Sequence, residues 1–165
     1  MTSEHLLHTI PPIYDGNSKI LILGSFPSVK SREVSFYYGH PQNRFWRVLA
    51  AVLGCAVPSS NEEKTALLQS HNIALWDVIK SCDIVGSSDS SIKNVVPNDI
   101  GVILSSCGIR QIYSNGKTSE KLFNKYIKDT VGRDTMALPS TSPANASYNL
   151  ERLTDSWSVI KNNIR

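Results

Sequence analysis

The sequence predicts a three-layer α/β/α fold with a mostly parallel, four-stranded central sheet. Four short runs rich in β-forming residues alternate with stretches that suit helices: KILILG (19–24), NIALWDV (72–78), RQIYSN (110–115) and TMALPS (135–140). The first run is almost continuously apolar, as expected for a strand that helices cover on both faces. This alternation favours parallel strands joined by right-handed crossovers.

Five stretches between and after these runs predict the helices. They span residues 43–53, 61–70, 98–105, 118–128 and 149–162. In the last stretch, apolar residues recur at helical spacing and form one stripe, composed of Leu150, Leu153, Trp157 and Ile160. This stripe is typical of a helix that packs one face against a sheet.

Composition excludes several classes of protein. The chain has 165 residues, 17 Lys+Arg against 14 Asp+Glu, 41% hydrophobic residues and three cysteines. This balance rules out a disordered or disulfide-framed chain, and the length predicts one domain over residues 1–165. Cys55, Cys82 and Cys107 form no CxxC pair and are expected to be buried free thiols. We expect no metal site, no membrane span and an intracellular, cytoplasmic location.

A loop rich in Gly, Ser, Pro or Asn follows each predicted strand. These loops contain GSFPS (24–28), CDIVGSSDSSI (82–92), SNGKTS (114–119) and LPSTSPANAS (138–147). Ligands of α/β proteins bind where the carboxyl ends of the strands open into loops, so function is expected there. Basic residues cluster in residues 19–50 and 117–133, which suits either a polyanion or solvated helix faces.

Two common chemistries lack their motifs here. GSFPS has neither GxGxxG nor GxxxxGK[ST], which argues against a dinucleotide or nucleoside triphosphate site. A serine hydrolase would use Ser25 or Ser140 with His40, but GxSxG is absent. The other histidines, His5, His8 and His71, are expected to be surface or structural residues.

The segment YYGHPQNRFW (37–46) carries the densest functional signal. Asn43 suits the N-cap of a helix whose Phe45 and Trp46 enter the core. That leaves a cluster of Tyr, His, Gln, Asn and Arg side chains at the rim of the expected crevice. Aromatic faces beside amides and guanidinium groups suit stacking on a nucleobase and reading its edge.

Three motifs, in the same order along the chain, resemble the uracil-DNA glycosylase superfamily. They are GSFPS with NRFWRVL (43–49), NIALWDV with GSSDSS (86–91), and LPSTSPANA (138–146), and they resemble the thymine/uracil branch. Phe26 replaces the catalytic Asn of that branch. With Asn43 and the Ser-Asn-Gly at 114–116, the pattern resembles the hypoxanthine-DNA glycosylase branch. The resemblance implies removal of deaminated adenine from DNA without a cofactor.

The resemblance also implies roles for residues of the expected crevice. Asn43 would position the water or contact the leaving base, replacing the Asn lost at Phe26. Phe26 would stack under the flipped base and Tyr38 would form an opposing wall. Asn115 matches the base-reading Asn of classical uracil-DNA glycosylases by position, although Asn-Gly is also a strong turn pair.

A second group would contact the DNA strand itself. Hydroxyl groups, backbone N–H groups and cationic side chains suit contacts with phosphates. The residues expected to make these contacts are Ser25, His40, Arg44, Lys117, Ser140, Thr141 and Ser142. The wedge position of the last motif falls at Ala144, whose side chain is too small to fill a vacated stack well.

The expected partner is double- or single-stranded DNA carrying a deaminated base, bound by a monomer that associates with the nucleoid. A monofunctional mechanism is preferred because neither GSFPS nor STSPA contains a lysine. Two alternatives remain open at this point. The chain could be a uracil or mismatch-specific glycosylase, or a catalytically inactive relative that binds DNA.

Overall fold

A computed structural model describes residues 2–86 and 88–165 and places seven strands in that part of the chain. In chain order they are β1 (Glu4–Leu7), β2 (Ile20–Gly24), β3 (Ile73–Asp77), β4 (Ile79–Ile84), β5 (Lys93–Pro97), β6 (Gln111–Asn115) and β7 (Thr135–Leu138). The central sheet has the order β3-β2-β6-β7, and all its neighbours are parallel. The predicted four-stranded parallel sheet is therefore confirmed.

The described residues form seven α-helices and two short 3-10 helices. The α-helices are α1 (Val29–Val34), α2 (Phe45–Leu53), α3 (Asn61–Ser70), α4 (Gly101–Ser106), α5 (Lys117–Tyr126), α6 (Lys128–Val131) and α7 (Leu150–Trp157). The 3-10 helices are Asp89–Ser91 and Ser158–Asn162. The helix predicted at 98–105 thus begins three residues later than expected, and the Asn98 side chain instead donates to the carbonyls of Asp77 and Ile79.

Helices cover both faces of the central sheet. Alternate side chains of β2 point in opposite directions, so Ile20 and Ile22 pack with α2 and α7, whereas Leu21 and Leu23 pack with α4 and α5. Trp157 of α7 is fully buried in the first layer. These two cores confirm the three-layer arrangement.

A second sheet, of three antiparallel strands in the order β1-β4-β5, was not predicted. Its strand β4 begins two residues after β3 ends, so the two strands resemble one β-rich run in the sequence. The loop expected at 82–92 is therefore partly strand. The backbone N–H of His8 donates to the carbonyl of Lys80 at 2.7 Å, which holds His8 over the carboxyl end of β3.

The three cysteines differ in their exposure to solvent. Cys82 is buried, but Cys55 is exposed and Cys107 is half-buried, so burial of all three thiols was wrong. Ser87 of the expected GSSDSS motif lies outside the described residues. Among the helices of residues 2–86 and 88–165, none is long and apolar enough to cross a membrane.

Candidate active site

A cleft of about 280 Å³ opens at the carboxyl edge of the parallel sheet. It lies where ligands bind in open α/β sheets, and its volume approaches that of small-molecule pockets. The loop after β2 supplies one wall, residues 24–31, and other loops supply the rest: Tyr37, Tyr38, His40, Asn43, Asp77, Ile84, Asp89, Asn115 and 140–143. The crevice expected from the sequence therefore exists, and most of the expected site residues line it.

Asn43, Thr141 and Asn115 form a hydrogen-bonded bridge across this cleft. The hydroxyl of Thr141 donates to Asn43 Oδ1 at 2.9 Å and accepts from Asn115 Nδ2 at 3.0 Å. The backbone N–H of Thr141 donates to Asn115 Oδ1 at 3.0 Å. Thr141 is fully buried, so it acts inside the protein, although the sequence predicted a phosphate contact for it. The bridge fixes both amides relative to each other.

The orientation of the Asn43 amide follows from its partners. The backbone N–H of Phe45, the first residue of α2, donates to Asn43 Oδ1 at 3.0 Å. Two donors therefore occupy this oxygen, and the nitrogen Nδ2 donates to no group of the described residues. The predicted N-cap at Asn43 was wrong, because the N-cap of α2 is Arg44; Asn43 precedes it, and only its side chain reaches the helix start. It presents an N–H donor to the cleft.

Asn115 ends β6 and is turned inward by its bonds to Thr141. A glycine follows it: Gly116 has φ of +95°, and a Cβ there would lie 3.0 Å from the Cβ of Ser140. The loops after β6 and β7 meet at this point. Asn115 lines the cleft and ends a strand, where an Asn-Gly turn was the alternative expectation, and both polar ends of its amide are engaged by Thr141.

Two aromatic residues line the cleft, as the sequence predicted. Phe26 is half-buried, with its ring edge-on to His8 at 6.0 Å and the Arg32 guanidinium 5.8 Å from its centroid. Tyr38 stacks on Phe45 with centroids 4.1 Å apart, so one face of its ring is already covered. Burial raises the pKa of the Tyr38 hydroxyl, and the nearby Asp77 raises it further, so this hydroxyl stays protonated.

Sequence reasoning missed two carboxylates of the cleft, Asp77 and Asp89. Asp77 ends β3, is 4% exposed, and its Oδ2 accepts from His8 Nε2 at 2.8 Å. His8 is thus a buried partner of the cleft, not a surface residue. Asp89 stands at the rim, where partial burial raises the pKa of its carboxyl and hydrogen bonds with Thr118 and Ser25 partly offset this. The available signal in the sequence was the position of Asp77 at the end of the predicted strand NIALWDV, at the same sheet edge as GSFPS.

Arg44 was predicted to contact a phosphate, but its guanidinium holds a loop of the protein. It donates to the carbonyl oxygens of Ser142 at 2.8 Å, Asn145 at 3.1 Å and Tyr148. Its backbone N–H also donates to the carbonyl of Thr141 at 3.0 Å. Arg44 therefore shapes the 141–148 loop that forms one side of the cleft.

We expect Arg44→Ala to lower the free energy of unfolding by about 2–3 kcal/mol, because it leaves several carbonyls without their charged donor. Urea denaturation followed by circular dichroism measures this. Arg47→Ala, one turn along the same helix, is the matched control, since Arg47 is exposed and has only a 3.5 Å contact with Gln42. Equal stability of the two variants would contradict this role for Arg44.

The remaining predicted DNA contacts are spread around the rim. Ser25, His40, Ser140 and Ser142 line the cleft, whereas Lys117 begins α5 as an exposed residue outside the lining. Local turns use some of these groups. His40 Nδ1 accepts from the Gln42 N–H, and Ser142 Oγ accepts from the N–H of the exposed Ala144 at 3.2 Å. No group of three or more metal-ligating side chains occurs among the described residues.

The parallel sheet with an amide-lined, aromatic cleft at its carboxyl edge is the arrangement of an α/β enzyme that binds its ligand at the strand ends, and the comparisons below show that its class is DNA glycosylase. The model of the uracil DNA glycosylase superfamily matches residues 11–162. The chain belongs to that superfamily.

Relatives and a solved structure agree with this assignment. The chain is 36% identical to the hypoxanthine DNA glycosylase of Methanosarcina barkeri over 137 residues, which is 82% of this chain and 85% of that protein. It is 34% identical to the Methanosarcina acetivorans hypoxanthine DNA glycosylase over 152 residues, 91% and 94% of the two chains. A solution NMR structure of a candidate uracil DNA glycosylase from M. acetivorans superposes with a TM-score of 0.78, at 33% identity and 92% and 94% coverage.

Proposed function

We propose that this DNA glycosylase removes hypoxanthine from deoxyinosine in DNA by a monofunctional mechanism. The observation that carries the proposal is the Asn43–Thr141–Asn115 bridge, which leaves Asn43 Nδ2 as a fixed donor in the cleft. Phe26 of the GSFPS motif lines the same cleft, where an apolar ring suits the face of a flipped base. The two relatives named hypoxanthine DNA glycosylase support the choice of base.

Hydrolysis of the glycosidic bond places opposite charges on the sugar and the base. A water oxygen attacks C1′ while the C1′–N9 bond breaks, the bond electrons pass to N9, and a water proton ends on the released base. The Nδ2 donor of Asn43 would stabilise the negative charge on the departing base. Asp89 provides negative charge in the same cleft, which favours the positively charged sugar.

The substrate strand would run along the rim of the cleft. We propose that Ser25, Ser140, Ser142, His40 and Lys117 contact its phosphates, since hydroxyls, backbone N–H groups and exposed cations suit that role. Ala144 would lie beside the gap left by the flipped nucleotide. The enzyme would act as a monomer on single- or double-stranded DNA, at the nucleoid within the cell.

A panel of matched oligonucleotides tests the choice of base. Each carries deoxyinosine, deoxyuridine, thymidine opposite guanine, or no lesion, and alkali converts the abasic sites to strand breaks. We expect alkali-dependent cleavage of the deoxyinosine strand. Release of uracil alone would contradict the hypoxanthine proposal while keeping the glycosylase chemistry, and binding without any release would identify an inactive relative.

The monofunctional mechanism has its own test, because the structure places one lysine in the cleft. Lys30 lines it, and its Nζ lies 3.7 Å from Glu33 Oε2. A lysine nucleophile would form a Schiff base with the abasic sugar that borohydride traps as a protein–DNA adduct. We expect no adduct; formation of one that Lys30→Ala abolishes would overturn the monofunctional assignment.

A further inference from the structure

We infer that Tyr38 and Asp77 together recognise the lactam edge that deamination creates on a base, and that this pair rejects the unmodified base. The inference deepens the proposed function and rests on it. It is carried by two oxygen atoms in the cleft that accept no hydrogen bond from, and donate none to, the described residues.

The Tyr38 hydroxyl is the first of these atoms. It is buried, yet it forms no hydrogen bond of good geometry with any described residue, even though the Asn115 amide lies close by. A buried hydroxyl without a partner is costly, which points to a ligand or a water that completes it. Tyr38 also has φ of 52°, an uncommon backbone conformation for a residue with a side chain. The burial that keeps its hydroxyl protonated makes it a donor.

The second atom is Oδ1 of Asp77. His8 binds the other carboxylate oxygen, and no described residue donates to Oδ1. Both atoms converge on Gly24, where a Cβ would lie 2.4 Å from Asp77 Oδ1 and 2.9 Å from Tyr38 Oη. The two oxygens therefore cannot be further apart than the sum of those distances. A donor and an acceptor therefore lie within that distance of each other on the lining of the cleft.

This pairing is complementary to a deaminated base. Hypoxanthine presents the O6 acceptor next to the N1–H donor, and uracil presents O4 next to N3–H. Tyr38 would donate to the carbonyl oxygen while Asp77 accepts from the ring N–H. The Asn115 amide cannot supply this pair as freely, since Thr141 engages both its oxygen and its nitrogen.

The same pair disfavours the base before deamination. Adenine has a bare ring nitrogen at N1, and the Asp77 carboxylate would face its lone pair, with no proton between them. A buried acceptor opposed by another acceptor loses its hydrogen bond and its solvation together. Excision of undamaged adenine is thereby suppressed by the same contact that selects the lesion.

His8 positions Asp77. A carboxylate carries no proton, so His8 Nε2 must be the donor in the 2.8 Å contact between them. Both side chains are almost fully buried, at 1% and 5% exposure, so this contact fixes which oxygen faces the cleft. If Asp77 were replaced by Asn, His8 would hold the amide oxygen and turn the NH₂ group toward the base. The Asp77→Asn variant should then bind a base with an unprotonated ring nitrogen more tightly than a base with a ring N–H.

Binding to uncleavable DNA tests this independently of base release. The probes are two duplexes that carry 2′-fluoroarabino-inosine or 2′-fluoroarabino-nebularine; nebularine is the purine that lacks O6 and has a bare N1. We measure Kd of each by fluorescence anisotropy and take their ratio. The wild type should prefer inosine. Tyr38→Phe should reduce this preference about five- to tenfold, and Asp77→Asn about 10- to 100-fold, with tighter binding of nebularine.

Matched controls separate recognition from folding. Tyr126→Phe removes a hydroxyl outside the cleft. Asp83→Asn alters the exposed His5–Asp83 pair, a second His–Asp contact that lies in the antiparallel sheet. Both should keep the wild-type ratio. His8→Ala should reduce the ratio, and His8→Gln, which restores a donor, should recover part of it.

The ratio of the two Kd values distinguishes recognition of the base edge from a general loss of binding. An equal loss of affinity for both probes in Tyr38→Phe and Asp77→Asn would overturn the inference, as would a wild-type ratio near one. Circular dichroism shows whether each variant is folded. If Asp77→Asn does not fold, the ratio of the two Kd values for Tyr38→Phe alone tests the inference. A wild type that prefers inosine in binding but releases no hypoxanthine would contradict the proposed function and leave the edge recognition supported.

Discussion

Asn43→Ala is expected to lower the single-turnover rate of hypoxanthine release by about 10²- to 10³-fold. Removal of one preorganised donor that faces developing negative charge costs an enzyme about this much. The variant deletes Nδ2, which is directed into the cleft, and Oδ1, which accepts from Phe45 and Thr141. Rapid-quench measurement on a deoxyinosine duplex, with enzyme in excess, gives the rate directly.

Two further variants separate the chemical role of Asn43 from its effect on the helix start. Asn43→Asp keeps the oxygen that accepts from Phe45 and Thr141 but removes the donor, so it should be about as slow as Asn43→Ala. Asn149→Ala removes a comparable cap on α7, where Asn149 Oδ1 accepts from the Arg152 N–H at 2.8 Å. It should cost about 1 kcal/mol of stability and leave the rate unchanged. Full activity of Asn43→Asp would contradict the donor role.

Gly24→Ala is expected to lower the same rate by at least about 100-fold. A Cβ at this position would lie 2.4 Å from Asp77 Oδ1 and 2.9 Å from Tyr38 Oη, closer than van der Waals contact allows. Asp77 cannot yield easily because His8 binds it, so the added methyl group displaces the cleft wall. A misplacement of about 1 Å in an active site can cost 100-fold in rate.

The control for this prediction is Gly108→Ala. Gly108 has no heavy atom within 4 Å of its added Cβ, so this variant should behave as the wild type. Thermal unfolding of the Gly24→Ala variant should show a loss of about 1–3 kcal/mol, the range for overpacking a filled site. A Gly24→Ala enzyme within threefold of the wild-type rate would show that the approach of Asp77 and Tyr38 to Gly24 is unimportant for catalysis.

The central sheet could be predicted because its signal is local. The run ending at Gly24 is apolar on both faces, and the observed strand, Ile20–Gly24, differs from the expected one by a single residue. The stripe containing Leu153 and Trp157 likewise reports the buried face of α7 directly. Patterns of this kind depend on the periodicity of one element and not on its neighbours.

The antiparallel sheet could not be predicted in the same way. Its strand β1 is largely exposed and only four residues long, so it carries no hydrophobic pattern. Its strand β4 directly follows β3 and mixes Lys80, Ser81 and Asp83 with apolar residues. Strand β1 forms only by pairing with β4, more than 70 residues away, as in the Glu4↔Ile84 pair, and β4 also pairs with β5.

The site shows the same division. Asn43 and Asn115 could be placed in the cleft because each stands at the end of an element with a strong signal. Asp77 also ends a strand with a strong signal, but its role was not recognised because its partner His8 reaches it only through the antiparallel sheet. Arg44 was predicted to bind a phosphate because the sequence does not show that the 141–148 loop folds back onto it. Contacts between distant loops decided these roles.

The release of hypoxanthine as a free base is tested most directly by identifying the products of one reaction. The wild-type enzyme is incubated with a deoxyinosine duplex, and both the free base and the DNA strand are measured by mass spectrometry without alkali. Free hypoxanthine and an intact strand with one abasic site should appear in equal amounts. A strand cut beside an intact deoxyinosine, or no free hypoxanthine at enzyme excess, would contradict it.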